Sequence, residues 1–264
     1  MNHPKKIDAL LSLLQDEDRQ VSSMAMEELL HLDKDVDQLL AELQETDNPI
    51  LRGRIHQLSC ILKLRRARTA FIDSVRDNSV SLWEGLQAIN YQFNPRMNIH
   101  DIDRMVEELD RQLPPRLSCV RLASFMRKEK FTFTDEDSLG ADLYLIEDVL
   151  LQRVGTPILL ALLAQKLAAG RDFHTSLVLH KGRHCLLDTN CNLIAPADNW
   201  RVTRLSNNER LHPCGTQDAW LTILSQLFVS AVQEGRLHAI HRVGSILAKL
   251  CGGEFSKLSF PLGS

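Results

Sequence analysis

The stretch Gly182 to Trp200, GRHCLLDTNCNLIAPADNW, places one histidine, two cysteines and two aspartates in nineteen residues. A thiol, an imidazole and a carboxylate are the groups that nucleophilic acyl chemistry needs. The base lowers the thiol pKa, and the carboxylate holds the imidazole in its productive tautomer. Strand geometry opposes the simplest assembly of these groups. Asp188 is four residues past His184, so both point to the same face of a strand. At ~3.3 Å per residue they stand about 13 Å apart, beyond direct hydrogen bonding. Cys185 points opposite His184. Cys191 and Asp188 fall in or beside a turn rich in Asp, Thr and Asn, residues at home in turns. Cys214 follows Pro213 in a loop and could fold back. His174 and His180 flank the first strand and read as surface residues.

The elements that must position these side chains change in texture along the chain. The first ~130 residues read as helix after helix. Acids open DEDRQVSSMAMEELLHL, then Val21, Met24, Ala25, Leu29 and Leu32 recur at helical spacing. DNPILRGRIHQLSCIL repeats the plan with Ile50, Leu51, Ile55, Leu58 and Leu62. The register of Asp16, Asp18, Val21, Ala25 and Leu29 resembles a HEAT repeat. The second copy is weaker, with Ser59 where the first has Leu29. Two such units are too few for a free-standing solenoid and need something to pack on. Helices are predicted at Val80–Gln92, Ile99–Gln112 and Ser118–Glu129, separated by the proline breaks FNPRMN and LPPRLS. FTFTDED is strand-like or a loop. LYLIEDVLLQRVGTPILLALLAQKLAAG reads as helix, sharp turn, helix, with Pro157 at the first helical position and Gly170 as the C-cap. From Arg171, HTSLVLH, HCLLD and LIAP form short β-type runs split by KGR and TNCN, an antiparallel meander. Two last helices, Gln217–Gln233 and Leu237–Cys251, form a hairpin resembling a tetratricopeptide unit.

Composition narrows the function classes. The chain of 264 residues is 44% hydrophobic and 25% charged, as ordinary globular proteins are. Aromatics at 5% leave the core to aliphatic side chains, which suits helices. A net charge of -3 gives no reason to expect nucleic acid, and the basic KLRRAR run reads as a solvated helix face. No secretory signal or spanning segment is visible, because the longest apolar run, Ile158 to Ala169, is broken by Gln165 and Lys166. The six cysteines lack paired spacing, which points to reduced thiols in a cytoplasm and to no zinc. Nucleotide and metal motifs are absent, so no cofactor is expected.

The order of proline-capped apolar helix, meander and helical hairpin resembles the bacterial SirB-type branch of the transglutaminase-like superfamily. The phrase V-L-x-x-R-x-G-x-P-I-x-L stands here as Val149, Leu150, Arg153, Gly155, Pro157, Ile158 and Leu160. Gly182-Arg183-His184-Cys185 stands for the family's Pro-Gly-His-Phe, and Ile194-Ala195-Pro196 for its Ile-Asp-Pro. The resemblance covers about Phe131 to Leu250. It implies a papain-like core whose thiolate sits at the N-terminus of the buried helix. Here the nucleophile position, near Leu159, is apolar, the histidine position keeps His184, and the aspartate position is Ala195. Thr156 is a hydroxyl at the turn, two residues early.

The expectation is therefore an α+β, mainly helical protein: a HEAT-like region over 1–130, a degenerate transglutaminase-like core over 131–205, and a tetratricopeptide-type hairpin and tail over 206–264. Its work is expected to be non-catalytic binding of a protein or peptide, in the cytoplasm, with no nucleic acid or membrane partner. Two rivals are a cysteine-dependent hydrolase or acyltransferase with a displaced thiol, and a small-ligand sensor using the former cleft with His184 and Arg153. Arg153 either binds a carboxylate or ties two helices together, the structural role being favoured. Trp200 and Trp220 are candidates for binding if exposed, and for packing the hairpin on the core if buried.

Overall fold

The computed structural model describes residues 3–32, 40, 43–134, 140–206 and 209–253. It is mainly helical with a small antiparallel sheet. Its contacts divide it into two compact units, residues 1–69 and 70–264. The division falls inside a long helix, well before residue 130, although the helical texture continues to Lys128.

The first unit holds α1 (His3–Leu13), α2 (Arg19–His31) and most of α3 (Pro49–Arg76). Asp18 caps α2 by accepting from the Gln20 amide, and Asn48 does the same for the Ile50 and Leu51 amides ahead of α3. The Arg54 guanidinium donates to the carbonyls of Leu14 and Asp16, satisfying backbone acceptors just past α1. Leu10, Leu14, Ala25, Leu29, Leu51, Ile55, Leu58 and Leu62 form one core. Met24 and Ile50, both expected in the apolar stripes, are 63% and 48% exposed. The buried face of α2 runs through Ser22, Ala25 and Leu29, which turns Met24 outward. Ser59 is buried and its hydroxyl has no partner among the described residues, the physical mark of the weaker second copy.

The second unit is built round one helix. It contains α4 (Leu82–Phe93), α5 (Ile99–Gln112), α6 (Cys119–Lys128), β1 (Thr132–Phe133), a 3-10 turn (Ala141–Tyr144), α7 (Ile146–Gln152), β2 (Val154–Gly155) and α8 (Pro157–Ala169). Strands β3 (Thr175–His180), β4 (Arg183–Asp188), β5 (Asn192–Ala195), β6 (Arg201–Arg204) and β7 (His212–Pro213) follow, then α9 (Thr216–Gln233) and α10 (Leu237–Leu250). A capping box of Ser81 and Glu84 starts α4, and Asn98 and Ser118 cap α5 and α6. Every residue of α8 from Pro157 to Ala164 is buried. The helix packs on β3 and β4 and touches α5, α6 and α7.

The sheet order is β6-β5-β4-β3-β7, all neighbours antiparallel. Lys181 and Gly182 join β3 to β4 with positive φ at both residues, as a two-residue primed hairpin turn requires. Strand structure was expected to end at Pro196. It does not: β6 and β7 lie beyond it and form the two edges of the sheet. Both are short, and polar spacing there masks the alternation that marked the central strands. A separate parallel pair, β1 with β2, joins Thr132 to Val154 and Phe133 to Gly155.

Trp200 and Trp220 are 1% and 2% exposed. The Trp200 indole donates to the Phe131 carbonyl at 2.7 Å, and Trp220 meets Phe71 edge to face at 5.9 Å. Both rings are buried in the core, Trp220 on the hairpin helix α9 and Trp200 against Phe131. A Cβ built on Gly85 lies 2.4 Å from the Trp220 Nε1, so only glycine lets α9 approach α4 this closely.

Three substitutions test the helices. Leu162→Ala, in the middle of the buried helix, should cost ~2–5 kcal/mol in chemical denaturation. An unchanged midpoint with unchanged slope would show that α8 is not central. Gly85→Ala should cost ~1–3 kcal/mol by forcing the indole aside. Gly53→Ala, whose added Cβ meets nothing within 4 Å in α3, should instead gain ~0.5–1 kcal/mol.

Candidate functional site

A cavity of about 260 Å³ opens where α8 begins, lined by Tyr144, Thr156, Pro157, Ile158, Gly182, Arg183, His184, Thr222 and Gln226. Four separate parts of the chain meet there: the 3-10 turn, the start of α8, the β3–β4 hairpin and α9. None of the described residues that line it is acidic.

Thr156 is the N-cap of α8 and is 5% exposed. Its backbone is satisfied, the amide donating to Leu143 and the carbonyl accepting from Leu160. Its hydroxyl caps nothing and has no partner among the described residues. Pro157 removes one of the orphan N–H groups of the first turn. The amides of Ile158 and Leu159 remain, and neither finds an acceptor among the described residues. Both residues are buried, at 2% and 0% exposure. A helix end with buried, unpartnered donors is uncommon and calls for a cause.

His184 is partly buried on β4, and its ring makes no hydrogen bond or ion pair among the described residues. Burial holds its pKa below the ordinary imidazole value, which favours the neutral ring. The hairpin places it at the cavity, and the alternation of β4 sends Cys185 to the other face. Cys185 is buried there with Val178 and Leu193 and packed by Ala195. Burial pushes the Cys185 thiol up to about 11. Ala195 therefore lies on the face away from His184, and an aspartate there in this register would not reach the imidazole.

Asp188 is committed elsewhere. Its carboxylate accepts from the Asn190 and Asn192 amides at 2.8 Å, from the Asn192 side chain at 2.9 Å and from the Cys119 thiol at 3.2 Å. Burial alone would raise this carboxyl, but these bonds outweigh it and hold the pKa below the usual carboxylate value. Cys119 opens α6, a place that ordinarily acidifies a thiol. Burial and the adjacent Asp188 carboxylate push it up to about 12 instead. The sequence held no sign of this pair, which joins residues 69 positions apart.

The other expected site residues are dispersed. Leu159 is fully buried in α8. Arg153 caps α7 at a φ of 63°, and its carbonyl accepts from the Thr132 amide at the start of β1. Its guanidinium lies 4.6 Å from the centre of the Phe131 ring. It does not line the cavity with His184, where Arg183 stands instead. Cys214 is partly buried in the loop leading to α9, and its thiol, raised by burial, contacts its neighbour Gly215. His180 pairs with Glu209 at 3.2 Å. Thr222 and Gln226, contributed by α9, carried no motif that would have marked them.

Asp188→Asn should destabilise the protein by ~2–3 kcal/mol at pH 7, because an amide presents donors where four donors already converge. Since the folded pKa is depressed, the aspartate's contribution is present above its unfolded value and is lost as pH falls through the folded value. The gap between wild type and variant should therefore narrow below about pH 4. A gap constant from pH 7 to pH 3 would show that the carboxylate charge is not what the turn uses.

No family model, curated protein or solved structure matches the chain, so its function is read from its residues and their geometry.

Proposed function

We propose that this is a catalytically inactive transglutaminase-like protein that acts as a binding module for a protein or peptide. The observation that carries the reading is the cleft at the start of α8: His184 lines it, and no thiol does. The helix dipole that would acidify a nucleophile is aimed at the cleft, but Thr156, Pro157 and Ile158 occupy the turn. The nearest thiol in sequence, Cys185, faces the other side of the sheet and is protonated at neutral pH. Cys119 has a carboxylate beside it, yet that carboxylate raises its pKa and no imidazole is bonded to either. These features disfavour a displaced-thiol hydrolase. The family reading rests on the residues Val149 to Leu160 and Gly182 to Cys185, on the sheet that follows the apolar helix, and on the helical hairpin α9–α10 packed beside them. Fold resemblance alone does not fix a function, so the site decides.

A second reading is favoured by the cavity itself. A volume of about 260 Å³ with several polar groups converging on it accommodates a small molecule or the end of a peptide.

The inactive reading is tested by alkylating the native protein with iodoacetamide across pH and reading each cysteine by mass spectrometry. Exposed Cys60 and Cys191 should be alkylated readily, and no faster after His184→Ala. Buried Cys119 and Cys185 should hardly react. One cysteine reacting fast at pH 6, and slowed by His184→Ala, would establish a thiolate–imidazolium pair and restore the enzyme reading.

A further inference from the structure

Three donors at the buried start of α8 have no acceptor among the described residues: the Ile158 and Leu159 amides and the Thr156 hydroxyl. Thr156 is 5% exposed and lines the same cavity as Ile158. A helix N-terminus carries a partial positive charge, and here the helix is 13 residues long and wholly apolar around its first turns. Burial keeps water from screening that field. The cavity adds Gln226 from α9, and none of the described residues that line it is acidic. Tyr144, Pro157 and Ile158 give the lining an apolar part.

We propose that this cavity is a carboxylate-binding site. The carboxylate would take the first-turn amides and the Thr156 hydroxyl as donors, with the carbon bearing it against Tyr144 and Pro157. The apolar part of the lining and the small volume favour a carboxylate on a carbon chain over a phosphate. The carboxylate comes from one of two sources, a free small organic acid or the C-terminus of a peptide. The inference rests on reading the cleft as non-catalytic, since a nucleophile at the α8 turn would occupy the same donors.

The test is amide-resolved NMR of the full chain, following Ile158 and Leu159. Sodium acetate is added to ~100 mM at constant ionic strength, a range suited to millimolar affinity. N-acetyl-Ala-Ala and its C-terminal amide are titrated in parallel, as is inorganic phosphate. Acetate and the dipeptide acid should move both amides saturably, and the dipeptide amide should not. Tighter binding of the dipeptide acid assigns the site to a peptide C-terminus; binding of acetate at least as tight assigns it to a small acid. Thr156→Val should weaken binding about three- to tenfold, the worth of one hydrogen bond, while Thr156→Ser should keep it. Silent amides, equal response to the dipeptide amide, or a response to phosphate but not acetate would each overturn the proposal. Silent amides beside unreactive thiols would discard the carboxylate site and leave the inactive reading standing.

Discussion

The second unit depends on the burial of α8. A helix apolar on every side, from Ile158 to Ala164, has no face to give to water. It must be covered by the sheet and by helices at once, and β3, β4, α5, α6 and α7 do so. That arrangement has a consequence at the helix start. The first-turn amides cannot stay in water as those of a surface helix do, so they need a cap or a ligand. The proline at the first position removes one of these donors, and the Thr156 side chain caps none of the rest.

The alternation of β4 then decides which chemistry the cleft has. His184 is on the cavity side and Cys185 is on the side packed by Val178 and Leu193. One residue separates them in sequence, and the sheet separates them in space. Asp188, two strand pairs further along, is drawn into the β4–β5 turn and the Cys119 thiol. A histidine, a thiol and a carboxylate lie within five residues, yet the thiol faces the other side of the sheet and the carboxylate is held by the turn and Cys119. The thiols next to this site are raised by burial, which works against nucleophilic use.

Much of the fold was legible because it obeys short-range rules. Pro157 and Gly170 bound α8 where punctuation predicted, and Ile99–Gln112 lies between the proline breaks FNPRMN and LPPRLS as read. The separation of His184 from Cys185 followed from period two. What stayed hidden depends on long-range meetings. Gly85 reads as a helix interior residue until Trp220, on a helix far along the chain, is seen against it. Cys119 reads as a core residue until Asp188 arrives beside it. The edge strands β6 and β7 are short and polar, so their pairing is made by the sheet and not by their own residues. Arg153 was placed in the cleft with His184 only by the small-ligand reading, a structural role being favoured; it caps α7 in a left-handed conformation, with its guanidinium over the Phe131 ring.

The central claim is that the cleft holds a neutral histidine and no thiolate partner. The protonation of His184, followed by ring nitrogen and carbon NMR shifts across pH, tests it most directly. Burial without a counter-ion predicts a midpoint below the ordinary imidazole value of ~6.5, and a neutral ring at pH 7. An imidazolium persisting at or above pH 8 would reveal an anionic partner in the cleft and contradict the account.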